Sequence, residues 1–554
     1  MRVLILGGYG AFGARLARLL ADEAGVDLII AGRSLARAQA LAALVGGTAA
    51  VIDRNGNVEA ALRPFAPDVV VDASGPFQTY GPDPYRVIQA SFAVGADYLD
   101  LADATGFVAG VDALDGQAKA AGRLALSGLS TLPALSFAAA RALAADMDSL
   151  NALEIGIAPS PKAPLGLSVV AATTSYAGAP VQRLQDSQAI DAVGLVEARR
   201  WTIAPAGGLP MRRRLFLLAD TPDLRLAPLA WPGLKTIWTG AGPAPQAPLR
   251  LLRLLAWLRS RYLAPSLTPF AGLFHRVING LRWGEDRGGM MVEARGVQGG
   301  RPVTRSWMLT AEGDDGPFIP AMAAAAVIRR MLAGGHPTAG ARPATQELDL
   351  DDFHPLFAAR RITTGVWEEL AADAPLFQRV LGEAFHRLPA QVQALHAGQG
   401  DEVWAGRASV ERGQGPLVSL ICAVVGLPAA TGETPVRVDI QRRAGREVWR
   451  RTFGGQSFSS QLSLGRGRRA RLILERFGPL TIAMALVAGE NRLDFVIRGW
   501  SLLGLPLPAA LAPRSTTFEA APDGRFAFDV EIALPLVGRI VRYRGALTRT
   551  EPVG

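Results

Sequence analysis

The sequence predicts an α/β protein in three parts: an N-terminal doubly wound parallel sheet, an inserted α+β domain, and a C-terminal, mostly antiparallel β domain. Three observations predict it. Strand-like and helix-like runs alternate through residues 1–128, as parallel βαβ units require. A glycine cluster directly follows the first apolar run and opens a helical pattern. Beyond residue 376 short segments alternate with an apolar period near two.

In chain order, Val3–Leu6 is a strand, and Ala11–Glu23 a helix with Leu16, Leu19 and Leu20 on one face. Leu28–Ala31 and Ala49–Ile52 are strands flanking a helix at Leu35–Leu44. Val69–Ala73 has the apolar character of a strand covered on both faces. Pro84–Val94 and Gly110–Ala121 read as helices, Tyr98–Leu101 and Leu124–Ser127 as strands, which closes a first domain at residues 1–128. Residues 129–315 form the inserted domain, with strands expected at Leu153–Ala158, Val169–Thr174, Met290–Gly296 and Ser306–Thr310. Within 316–350 the helix Phe318–Leu332 returns the chain to the first domain, and 335–375 has the Pro, Gly and Asp content of a linker. Leu376, Phe377, Val380, Leu381, Ala384, Phe385 and Leu388 predict one amphipathic helix opening the β domain at 376–552. In that domain Phe526, Phe528, Val530, Ile532 and Leu534 alternate strictly, and Gly454-Gly455 marks a hairpin.

Composition excludes several function classes. The 554 residues are 49% hydrophobic, which rules out wholesale disorder. One cysteine, Cys422, lies in an apolar run; it excludes a disulfide framework and reads as a buried thiol. The five histidines show no ligand spacing, so no metal is expected. Neither a phosphate-binding GxxxxGK[ST] nor a GxSxG elbow occurs. The net charge of +9 is carried almost wholly by arginine, since Lys119, Lys162 and Lys235 are the only lysines; such a bias does not call for a nucleic-acid partner.

Gly8-Tyr9-Gly10-Ala11-Phe12-Gly13 is GxGxxG in its required place, after a strand and before a helix. The first glycine suits the tight turn, the second the approach of backbone to a pyrophosphate, the third close helix packing, and the helix N-terminus offers free N–H groups. This is a Rossmann dinucleotide site. The second strand ends Gly32-Arg33-Ser34, without the acid that would accept from a ribose 2′-hydroxyl; Arg33 and Ser34 instead suit a 2′-phosphate, so the expected cofactor is NADP. Asp53 is placed either to meet the adenine amino group or to serve as a turn residue. Ser74-Gly75-Pro76-Phe77, at the carboxyl edge of the fourth strand, flanks the nicotinamide position.

The GGYGxFG start, the AGRS strand end, the GPF turn followed by Tyr80-Gly81, and GxxYxDL at Gly95–Leu101 resemble the saccharopine dehydrogenase-like reductases. The likeness is good over about residues 1–140 and loose over 141–350. It implies a Rossmann domain with an insertion before its last helix, and NAD(P)-linked redox chemistry. Members of that family often carry Gly-Glu where this chain has Asp103-Ala104, so Asp103 is the candidate substitute, with Tyr176 of the inserted domain as a second catalytic candidate. Residues 376–552 look like an uncharacterised bacterial domain found fused to such reductases. The expected function is NADPH-dependent reduction of a C=N, C=O or C=C bond in an apolar, lipid-like substrate; the alternative is a non-catalytic, NADP-responsive scaffold that binds lipid or a partner.

Leu249–Trp283 interleaves Leu, Trp and Phe with six arginines, including Arg282. It admits a peripheral membrane contact or an ordinary helix pair with solvated arginines. No secretory leader opens the chain, and the uncharged stretches Leu124–Ala140 and Ala163–Gln182 carry too many Ser, Thr, Gly and Pro to span a bilayer. The expected location is the cytoplasm, with attachment to the inner membrane as the variant, and a homodimer is the expected assembly if there is one.

Overall fold

The computed structural model describes every residue except 164, 165, 282, 430, 444, 536 and 551–554. Arg282 therefore lies outside the described residues. The chain divides into two compact units, one of residues 1–201 and 214–363, the other of residues 202–213 and 364 onward.

The first unit opens on six parallel strands: β1 (Arg2–Leu6), β2 (Asp27–Gly32), β3 (Thr48–Val51), β4 (Val69–Asp72), β5 (Asp97–Asp100) and β6 (Leu124–Ser127). Their spatial order is β3-β2-β1-β4-β5-β6, so the order reverses between β1 and β4 and leaves a crevice at their carboxyl ends. Val3, Leu4 and Ile5 in β1 and Val69, Val70 and Val71 in β4 are wholly buried, as expected of a sheet covered on both faces. Helices α1 (Gly13–Leu20) and α2 (Leu35–Val45) supply the first crossovers. The helix expected over Gly110–Ala121 is a tight turn at Val111–Leu114 followed by a helix at Asp115–Ala121, and a short helix at Thr105–Ala109 precedes them.

Two expectations here are corrected. The supposed linker is structured: Gly340–Pro343 pairs in parallel with β6 as a seventh strand, and Leu350–Ala358 is a helix. Its acidic run is a helix start, where the Asp352 carboxylate accepts from Asp349 N at 2.7 Å. Val169–Thr174 is not a strand but part of the helix Leu167–Tyr176. A short apolar run rich in Val and Thr suits a strand or a buried helix equally, and here Thr173 Oγ1 and Thr174 Oγ1 donate to the carbonyls of Val169 and Ala171 within the helix. The second sheet of this unit is mixed. Ser149–Ala158 lies between the parallel Thr236–Ala241 and the antiparallel Arg287–Gln298, which pairs onward with Arg301–Glu312.

The second unit is a closed antiparallel β-barrel of ten strands. Pairing runs from Leu480–Ala488 through each preceding strand to Glu402–Arg412, then through Gly538–Thr550, Phe526–Leu534 and Thr517–Ala520 to Arg492–Leu502, which pairs back with Leu480–Ala488. Phe453 faces Gln456 across Gly454-Gly455, both glycines at positive φ, so this hairpin has the two-residue turn its sequence predicts. Trp404, Ile440, Phe526 and Ile473 fill the interior. The single helix expected over 376–388 breaks at Gly382, whose φ of +57° ends Leu376–Leu381 before a tighter turn at Gly382–Arg387.

Residues 202–213 belong to this second unit although they interrupt the first. Ala204 O accepts from Trp367 Nε1 at 2.6 Å, and Gly207 O from Ala488 N at 2.9 Å. Ile203, Ala206 and Met211 are buried.

Candidate cofactor site

The crevice at the β1/β4 switch holds a cavity of about 370 Å³. Its floor is the glycine turn. Gly7 N and Gly8 N both donate to Ala31 O of β2, at 2.9 and 3.0 Å, and Gly10 N donates to Gly7 O at 2.8 Å. The left-handed residue is Gly7, at φ +76°, and a Cβ there would lie 2.7 Å from Ser74 Cα. The tight turn expected of Gly8 thus belongs one residue earlier, and the signal was available in the doubled glycine after the strand. A Cβ on Gly13 would sit 2.4 Å from Gly7 O, so only glycine lets α1 press onto the turn. No side chain caps α1 and no acid stands in its first turn; Ala14 N and Arg15 N donate to Gly10 O and Phe12 O, so an anion would be met where the turn enters the helix, at Ala11–Gly13.

At the far end of β2, Tyr9 braces the adenosine side. Its hydroxyl accepts from Ser34 N at 2.8 Å, and its ring occupies the space a Cβ on Gly32 would need. Ser34 Oγ caps α2 by accepting from Arg37 N. Arg33 lines the cavity, and so do Arg37 and Arg54, which sequence reasoning did not single out. The Arg37 guanidinium lies 4.6 Å from the Tyr9 ring centre and that of Arg54 lies 3.6 Å from the Tyr80 ring centre. Asp53 also lines the cavity, with Oδ1 accepting from Asn55 N at 3.0 Å, the bond of a turn residue. Arg33 and Arg37, with no acid at the end of β2, fit a coenzyme carrying a 2′-phosphate, whereas Arg54 stands on the Tyr80 side of the cavity.

Ala11 and Phe12 complete the glycine-turn wall, and Ser74, Gly75, Pro76 and Phe77 form the opposite one. Beneath Ser74 lies a network absent from the sequence expectations. The buried Asp72 carboxylate accepts from Ser74 N at 2.9 Å, Ser74 Oγ at 2.6 Å and Tyr80 OH at 3.0 Å. Burial holds its carboxyl above the ordinary aspartate range despite those donors. Its neighbour in register, Asp100, accepts from Ala102 N and Gly128 N on one oxygen, and burial pushes its carboxyl up to about 7.

Of the two catalytic candidates, one lines the cavity. Asp103 is exposed at the cavity beside Gln78, whose Nε2 donates to Asp103 Oδ1 at 3.2 Å. Tyr176 does not line the cavity. It packs in an apolar cluster with Leu195, Leu215 and Leu249, its ring against Gly194, and burial raises its phenol. Ser168 and Val169, at the start of the same helix, are the residues that reach the cavity. Cys422 is buried in the barrel unit, and the described residues contain no cluster of three or more potential metal ligands.

Residues 3–126 match the family profile of the saccharopine dehydrogenase NADP-binding domain, and residues 388–547 match a domain of unknown function, DUF4166. No curated protein matches the chain in sequence. Among solved structures, saccharopine dehydrogenase (L-Glu forming) from Saccharomyces cerevisiae is similar at 15% identity and a TM-score of 0.48, covering 67% of this chain and all of that one. Biliverdin reductase from Synechocystis sp. PCC 6803 is similar at 15% identity and a TM-score of 0.29, covering 63% of this chain and 94% of that one.

Proposed function

We propose, from the premise that the chain is an NAD(P)-dependent oxidoreductase built on a saccharopine dehydrogenase-type NADP-binding domain, that it reduces a C=N, C=O or C=C bond in an apolar substrate. The observation that carries this reading is the composition of the inner cavity wall. Pro76, Phe77, Leu101 and Val169 give it apolar patches between Ser74, Gln78 and Ser168, and Asp103 is an acid set among them. NADPH, when bound, supplies the hydride.

The chain's own part is to hold the coenzyme and provide a proton. Main-chain N–H groups at Ala11–Gly13, where the glycine turn enters α1, hold the pyrophosphate, and Arg33 and Arg37 hold the 2′-phosphate end. Asp103, exposed at the cavity, is placed to give that proton and to regain it from solvent. Reduction adds a hydride and a proton across the double bond, and Asp103 would give the proton to the atom that does not take the hydride. Gln78 Nε2 then donates to the carboxylate left behind. Tyr176 supports the inserted domain and takes no direct part.

The test is NADPH oxidation by a panel of enones, imines and ketones with apolar tails, using the parent chain and Asp103→Asn. The expected outcome is turnover with at least one class, and a loss of about 10²-fold or more in kcat for the variant with NADPH affinity unchanged. Tight NADPH binding with no oxidation across the panel would return the scaffold reading.

A further inference from the structure

We infer that the helix pair at residues 246–280 docks this protein onto the surface of an anionic lipid bilayer. The helix Gln246–Ser260 buries Leu249 and Ala256, while Leu251, Leu254 and Trp257 stand exposed on its other side. The next turn exposes Tyr262 at 97%, and Leu273 and Val277 of the helix Ala271–Gly280 are about half exposed. Scattered single apolar residues are ordinary on a protein surface, but this many from one helix pair mark an interaction face.

Charge selects the partner. Between residues 224 and 284 there is no Asp or Glu, whereas Arg250, Arg261 and Arg276 are exposed beside the apolar side chains. Arginines attract lipid phosphates, and Trp and Tyr suit the headgroup boundary with ring buried and polar tip wet. A second copy of the chain fits poorly. A two-fold contact would set these arginines against their own images, and the helix pair itself contains no acid to neutralise them. No helix among the described residues is long and apolar enough to cross a membrane, so the face lies on the bilayer.

The position of this face adds a consequence. The helix Ala271–Gly280 packs against Leu167–Tyr176, whose first turn lines the coenzyme cavity. Docking therefore brings the cavity rim to the lipid, where an apolar substrate resides; this clause alone rests on the proposed reductase activity.

The experiment is co-sedimentation of the full chain with vesicles of phosphatidylcholine alone and of equal parts phosphatidylcholine and phosphatidylglycerol. The expected result is salt-sensitive pelleting with the anionic vesicles only. It should fall roughly tenfold or more in Arg250→Glu/Arg261→Glu, and also in Trp257→Ser/Tyr262→Ser. Retained NADPH binding in both variants shows that they are folded, and neither readout depends on turnover. Equal pelleting with both vesicles, none with either, or a parent dimer that Trp257→Ser/Tyr262→Ser dissociates would overturn the proposal.

Discussion

The carboxyl edge of the parallel sheet and the barrel treat buried acids in opposite ways. In the barrel unit, Glu402 and Glu447 lie 3.4 and 3.6 Å from Arg442, and Glu519 lies 2.6 Å from His396. Trp404 Nε1 and Trp449 Nε1 donate to the same two glutamates at Arg442. Each of these three carboxylates faces a basic side chain. In the parallel sheet, Asp72 and Asp100 sit side by side at the carboxyl edge and are met by main-chain N–H groups and hydroxyls. Amides and hydroxyls fix a carboxyl in place without neutralising it, so burial keeps its affinity for a proton high. The barrel's three acids are cross-links; Asp72 and Asp100, at the carboxyl edge of the sheet, carry carboxyls that burial raises.

Three substitutions would sharpen or break this contrast. The largest effect is expected from Trp404→Ala, which empties part of the barrel interior and strips Glu402 of a donor. It should destabilise the barrel unit by about 3–5 kcal/mol, seen as an earlier urea transition of the full chain. NADPH affinity should stay constant, and a parallel fall in affinity would show that the two units are not independent. Next is Gly13→Ala. The added methyl must displace Gly7 O, at a cost of about 2 kcal/mol, and NADPH should bind roughly 30-fold more weakly by fluorescence titration while the barrel's transition stays where it was.

The smallest effect concerns pH. With Asp100 held up at about 7, the folded chain keeps a proton between about pH 4 and 7 that the unfolded chain has released. Stability from this group is therefore full below about pH 4 and declines as pH rises towards 7, with a slope of at most about 1.4 kcal/mol per pH unit. Asp100→Asn should flatten that slope. An unchanged profile would mean that Asp100 is not a titrating group of this kind.

The Rossmann half was legible because its signals are local. The glycine cluster, the strand run at Val69 and the bare Arg33 each announce themselves within a few residues. The Asp72–Ser74–Tyr80 network was not legible, although VVVDASGPF lay in view, because its meaning depends on a fold-back of eight residues over the strand end. Arg37 and Arg54 were lost among many arginines. The mistaken strand at Val169–Thr174 shows that β-branched content does not separate a strand from a short helix packed on one. The broken helix after Leu376 shows the converse: a helical apolar period continued through Gly382, where the backbone turns left-handed. Least legible was the excursion at 202–213, whose partners at Trp367 and Ala488 lie more than a hundred residues downstream.

That excursion has a bearing on biosynthesis. A ribosome delivers residues 202–213 long before the strands that will receive them, so Ile203, Ala206 and Met211 must wait in the open until the remainder of the polypeptide has emerged. Truncation after Thr363 would strand them permanently, and excision of residues 388–547 by themselves would leave a barrel lacking one of its own pieces. The two halves of this protein can be told apart on paper, but no single cut separates them.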